Sequence, residues 1–180
     1  MKTKGFTLVE LMVTLVVAGI LLTMAIPSFR KTIWNNRLTA QANEFVTALN
    51  FARSEAIKRG GRVTICISSN STESTSTCDP NVNWERGWII FVDTSTFGTR
   101  QTSELILRAH EGLSGGNTLT TGTNFNDFIS YLSSGISRGA NNLANGTFLL
   151  CDSRGTSKAR SIVIGPTGRP RTQSGASSCP

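Results

Sequence analysis

"KGFTLVELMVTLVVAGILLTMAIP" (residues 4–27) decides how the rest of the chain is read. A short basic start, Met1–Gly5, precedes 21 largely apolar residues, Phe6–Ile26. That length matches the hydrocarbon core of a bilayer. One formal charge interrupts the run, Glu10. A carboxylate so deep in an apolar helix is costly, so it is expected to have a partner and a function. An ordinary secretory signal, cut after Ala25, is the simpler alternative. Two features oppose it. A signal's apolar region is shorter and carries no glutamate, and helical periodicity resumes after Pro27.

Beyond Pro27, apolar residues recur at Leu38, Ala42, Phe45, Leu49, Ala52 and Ala56. Steps alternating between four and three place them on one face of an amphipathic helix. "KRGG" (residues 58–61) supplies the stop. A helix from Phe6 to about Arg59 would be roughly 80 Å long at ~1.5 Å per residue, with a kink expected at Pro27.

These residues carry a resemblance. The opening stretch is similar to the class III signal of type IV pilins and pseudopilins. The resemblance implies cleavage after Gly5 by a prepilin peptidase and methylation of the new N-terminal residue, Phe6. It implies that Glu10 pairs with the N-terminal amine of a neighbouring subunit during assembly. It also implies a single-pass inner-membrane precursor that later stands in a pilus at the periplasm or cell surface, among other pilin subunits.

After the helix the pattern changes to strand-and-turn chemistry. "RVTICIS" (62–68), "GWIIFVD" (87–93), "ELILRAH" (104–110), "GTFLLCD" (146–152) and "RSIVIG" (160–165) are short β-branched or aromatic runs. "DFISYL" (127–132) fits a strand or a short helix. Polar loops fill residues 68–81 and 133–146. The expected fold is α+β, a long helical spine followed by an antiparallel sheet. The expected divisions are 1–5 (leader), 6–27 (membrane and assembly half of the helix), 28–60 (its amphipathic half) and 61–180 (β-rich head). "ALNFARSEAIKRGGRVTIC", "WERGWIIFVD" and "LLCDSRG…ARSIVIGPTGRPR" are similar to the GspH/FimT family of minor pilins, which implies a type IV pilin fold. Trp84 and Trp88, beside an alternating strand, are expected in the core.

Four cysteines are present, Cys66, Cys78, Cys151 and Cys179, without a CxxC. Paired N/S ligand spacings are missing, which argues against structural zinc. An even number in an exported chain reads as two disulfides. Three pairings are possible. Cys66–Cys78 with Cys151–Cys179 is the expected one, closing the Ser/Thr-rich loop and pinning the tail.

No catalytic constellation stands out. His110 is the only histidine and lies at a strand end, where packing is the expected role. "GLSGGN" (112–117) lacks the ending of a phosphate-cradling loop. Neither an enzyme activity nor a cofactor is expected.

Charge is distributed unevenly. The formal net charge is +7. Residues 6–137 are balanced, whereas Arg138, Arg154, Lys158, Arg160, Arg169 and Arg171 face only Asp152 in the last quarter. A polarised basic end suggests an anionic partner. "GRPR" (168–171) matches the Gly-Arg-x-Arg pattern of DNA-binding FimT-like pilins, which implies a DNA-binding role in natural transformation. Pro170 favours an extended conformation at Arg169, so Arg169 and Arg171 would point the same way, about 6.6 Å apart. Gly168 leaves no side chain to block the approach. Arg154, Lys158 and Arg160 are candidates to extend the contact. Binding would be to phosphates and independent of sequence. Two other readings share the N-terminal motif: a structural minor pilin that primes pilus assembly, and a minor pseudopilin of a type II secretion system.

Overall fold

A computed structural model describes residues 5–73 and 75–180. The leader positions Met1–Lys4 lie outside the described residues. Helix α1 runs from Leu8 to Arg59, with Pro27 inside it. The chain divides into two compact units, Met1–Arg37 and Leu38–Pro180.

From Leu8 to Ile26 the helix is apolar all round apart from Glu10. Leu8, Leu15, Leu21 and Ile26 are each more than half exposed. This segment is long and apolar enough to cross a membrane.

The second unit begins with the C-terminal part of α1. All six stripe residues named from the sequence, Leu38 to Ala56, are buried. The helix ends as the "KRGG" signal requires. Gly60 has φ +62°, its N–H donates to Ile57 O, and Gly61 N–H donates to Ala56 O. That pair of bonds is a Schellman cap, which favours glycine at the left-handed position.

Among the described residues nine strands follow: β1 (Val63–Ile67), β2 (Gly87–Val92), β3 (Ile106–Glu111), β4 (Thr118–Thr121), β5 (Phe128–Tyr131), β6 (Ser137–Arg138), β7 (Gly146–Cys151), β8 (Arg160–Ile164) and β9 (Pro170–Ser174). They form two antiparallel sheets rather than one. The first has order β3-β2-β1-β5-β6 and the second β4-β7-β8-β9. The residues left open between strand and helix, 127–132, contain strand β5.

Both sheets turn one face to the same core. Ile65, Trp88, Ile90 and Tyr131 from the first sheet join Phe148, Leu150, Ile162 and Ile164 from the second, around residues 38–56 of α1. Phe45 sits at the centre. Its ring meets Trp84, Trp88 and Phe148 edge-on, with centroids 5.6, 5.0 and 4.7 Å away. Such edge-to-face contacts add to the apolar burial. Trp84 also satisfies its indole N–H on Phe125 O at 3.0 Å. Disulfides join Cys66 to Cys78 and Cys151 to Cys179.

Candidate nucleic-acid interface

The stretch expected as a basic loop is a hairpin. β8 and β9 are joined by a turn at Gly165–Gly168, and Gly168 N–H donates to Gly165 O at 2.9 Å. Pro170 tolerates this strand because β9 is the outermost strand of its sheet.

Register fixes which way the arginines face. Arg171 lies opposite Val163, and Pro170 lies opposite the buried Ile164. Side chains alternate along a strand, so Arg171 shares the outer face with Val163, away from the core. Arg169 is two residues earlier and lies across from Gly165, whose N–H donates to Arg169 O at 3.2 Å. Both arginines are exposed. Among the described residues neither has a carboxylate partner. Two charges without a carboxylate partner among the described residues thus stand together, Arg171 on the outer face of β9 and Arg169 in the turn that leads into it.

The same outer face continues into a groove of about 760 Å³. Thr147, Ser161, Val163 and Gln173 form its floor, and the tail residues Gly175–Ser178 form a wall. Cys151–Cys179 holds that tail down: Cys151 belongs to the outward row of β7 yet is buried. The groove places hydroxyl and amide donors beside Arg171.

The other basic candidates are placed differently. Arg160 lies opposite Ser174, at the far end of the hairpin. Ser174 is three residues along β9 from Arg171, about 10 Å at ~3.3 Å per residue. Arg160 shares the row of the core residues Ile162 and Ile164, the face opposite to that of Arg171. Arg160 Nη1 donates to the carbonyls of Lys158 and Ala159, both at 3.2 Å. Lys158 is exposed in the β7–β8 connection. The basic residues therefore form two groups, not one patch.

Arg154 leaves the set. Its Nε and Nη2 donate to Asp152 Oδ2 at 2.8 and 2.6 Å. Burial opposes ionisation of Asp152, but hydrogen bonds from Arg154 outweigh it and hold the carboxyl below its ordinary pKa. The pair is close to neutral, so Arg154 does not extend an open basic surface.

Gly168 also differs from its expected role. It is buried rather than open to a ligand. Its φ is +75°, and a Cβ there would lie 2.3 Å from Gly135 O and 3.1 Å from Tyr131 Cε1. Glycine is required because the turn packs on the first sheet, not because access must be cleared.

His110 packs against its neighbours in the sheet and helix. Its ring stacks on Trp88 with centroids 4.1 Å apart, and Nε2 lies 3.4 Å from Glu44 Oε2.

A long N-terminal helix with antiparallel sheets against its C-terminal part is the type IV pilin fold. The chain is similar to the minor pilin FimU of Pseudomonas aeruginosa, with 21% identity and a TM-score of 0.60 over 79% of this chain and 100% of that one. A second FimU crystal form gives 20% identity and 0.61, over 81% and 96%. The minor pseudopilin EpsH of Vibrio cholerae gives 14% and 0.50, over 77% and 97%. No curated protein matches the sequence.

Two family profiles match. The prokaryotic N-terminal methylation motif covers residues 1–26, and the type II transport protein GspH family covers residues 41–168. The chain belongs to the GspH family, and its precursor is a membrane-anchored pilin-like subunit. The family and the structural neighbours are fibre subunits rather than enzymes. The GspH match ends at Gly168, one residue before the arginine pair.

Proposed function

We propose that this chain is a minor type IV pilin that binds DNA through Arg169 and Arg171, for DNA uptake in natural transformation. One observation carries the reading: exposed Arg171 on the outer face of edge strand β9 and exposed Arg169 in the turn just before it, neither with a carboxylate partner among the described residues. Guanidinium groups pair with phosphate oxygens in a fork geometry that a lysine does not reproduce. Their ~6.6 Å spacing is about two nucleotide steps along one strand. Lys158, exposed in the β7–β8 connection, is a candidate for a further phosphate contact, whereas Arg160 shares the strand face of Ile162 and Ile164, opposite to that of Arg171. No helix presents side chains to base edges here, so recognition is of the backbone and independent of sequence.

The N-terminus supplies the context. The peptidase cuts after Gly5, Phe6 is methylated, and Glu10 pairs with a neighbouring subunit's N-terminal amine as the fibre assembles. The subunit passes from the inner membrane to the periplasm and the cell surface, carrying β9 with it.

A cellular test separates this from roles in assembly or secretion. Cells carrying R169Q/R171Q in place of the native copy keep surface pili and protein secretion but lose DNA uptake. Loss of pili, or of secreted proteins, with unchanged uptake per pilus would instead favour a priming or secretion subunit.

A further inference from the structure

Gly168 does more than allow a turn. It is the point where the edges of the two sheets meet. A Cβ on Gly168 would lie 2.3 Å from Gly135 O and 3.0 Å from the backbone N of Ser137. Gly135 belongs to the turn between β5 and β6, closed by Leu132 N–H on Ile136 O at 3.0 Å and Gly135 N–H on Leu132 O at 2.8 Å. Arg53, from α1, donates Nε to Gly135 O at 2.9 Å and holds the turn from the other side. The contact is backbone against backbone, with no flexible side chain to yield.

This seam brings a third arginine beside the pair. Ser137 is followed by Arg138, and Gly168 by Arg169. Register sets the direction of Arg138. Tyr131 lies opposite Ser137, and both are buried. Ser130 lies opposite Arg138, on the face away from the core. By alternation Arg138 looks outward from the first sheet as Arg171 looks outward from the second. Ser130 is itself buried, so Arg138 stands half-exposed at the edge of that face, and the packing of Gly168 on the Ser137 backbone brings the chain segments that carry Arg138 and Arg169 together at the seam. Arg138 Nη1 donates to Asn142 O at 3.1 Å, which ties the side chain to its own turn. Among the described residues it has no carboxylate partner.

We infer that Arg138 is a third phosphate-binding residue of the Arg169/Arg171 site, so that one DNA backbone lies across both sheets at the Gly168 seam. The inference rests on the DNA-binding reading above. It assigns a role to a residue distant in sequence and outside the Gly-Arg-x-Arg pattern. It also explains the rigid seating of the turn. Phosphate contacts made from two separate sheets keep their spacing only if the sheets cannot shift against each other.

The test is a salt titration of duplex DNA binding by the full-length chain in neutral detergent. Each phosphate contact adds about 0.9 to the slope of log K against log salt. Arg138→Gln is expected to weaken binding several-fold and to lower the slope by about 0.9, with Arg138→Lys restoring the slope. R169Q/R171Q is expected to lower the slope by about 1.8. Lys58→Gln, at the end of α1, controls for net charge and should leave the slope unchanged. If Arg138→Gln binds as wild type while R169Q/R171Q does not, the third contact is wrong and the two-arginine site stands. If R169Q/R171Q also binds as wild type, both fall. If Lys58→Gln lowers the slope as much as Arg138→Gln, the effect is net charge and the inference is overturned. Thermal unfolding of each variant, matched to wild type, excludes a general loss of fold.

Discussion

Gly168 carries the sharpest constraint at the scale of single residues. It combines a left-handed backbone, burial, and a carbonyl oxygen 2.3 Å from where a Cβ would stand. Gly168→Ala adds no charge and removes none. Left-handed strain of about 1–2 kcal/mol and overpacking of about 1–3 kcal/mol should act together. Thermal unfolding should therefore report a loss of about 2–5 kcal/mol. DNA affinity should fall as well, because the turn that orients Arg169 must move. An alanine variant as stable as wild type would mean that the turn is not seated on Gly135. The arginines show the complementary lesson. Composition treats all six basic residues of the last quarter alike, and only geometry separates them. Asp152 neutralises Arg154 two residues away, while Arg169 and Arg171 meet no acid.

At the scale of elements, the legible strands and the missed ones divide on a physical basis. β1, β2, β7 and β8 lie inside their sheets and are rich in Ile, Val, Phe and Leu, so their patterns stood out. β4, β6 and β9 are edge strands with sequences TLTT, SR and PRTQS. These three edges bury little, so they need no alternation and read as loops, whereas β3, also an edge, is legible through its apolar Ile106 and Leu107. β9 in particular reads as a loop because it opens on Pro170 and Arg171, directly after Arg169, although an edge tolerates all three. That is why the hairpin carrying the site was legible in residue content but not in conformation. The partition into two sheets and the seam between them depend on long-range pairing, which local patterns do not encode.

One connection between strands makes a prediction about acid. Glu104 is buried and organises the segment between β2 and β3. It accepts hydrogen bonds from the backbone N–H groups of Thr94, Ser95 and Gln101 at 2.7, 3.1 and 2.8 Å, and from the Thr94 and Ser95 hydroxyls. Burial opposes its ionisation, yet these donors outweigh burial and lower its pKa below the ordinary 4.5. A lowered folded-state pKa stabilises the fold fully above the unfolded value. The contribution disappears as pH falls through 4.5 toward the folded value. Denaturant midpoints should be flat at neutral pH and drop below about pH 5, and Glu104→Gln should flatten part of that drop. A drop of the same size in the variant would assign acid sensitivity elsewhere.

For the whole molecule, the two ends of the sequence do different work. The first 26 residues match the methylation motif and place the chain among proteins that enter a fibre from the membrane. Residues 41–168 build the GspH-family head. The arginine pair follows directly after that match, at the start of edge strand β9, and the Cys151–Cys179 bridge ties the tail beyond it to β7. The fold class and the identity of the two arginines were readable from the sequence. The outward direction of Arg171, the lack of acidic partners among the described residues and the nearness to the Arg138 segment were not, because those follow from the register of β8 with β9 and from the packing of Gly168 on Ser137.

Binding of duplex DNA to the full-length chain in neutral detergent, across a salt series, tests the central claim most directly. With two to five phosphates engaged, log K should fall against log salt with a slope of about −2 to −4.5. R169Q/R171Q should lose most of the affinity and about 1.8 of that slope while unfolding at the wild-type temperature. An affinity that does not change with salt, or a double variant that binds as wild type does, would contradict the account.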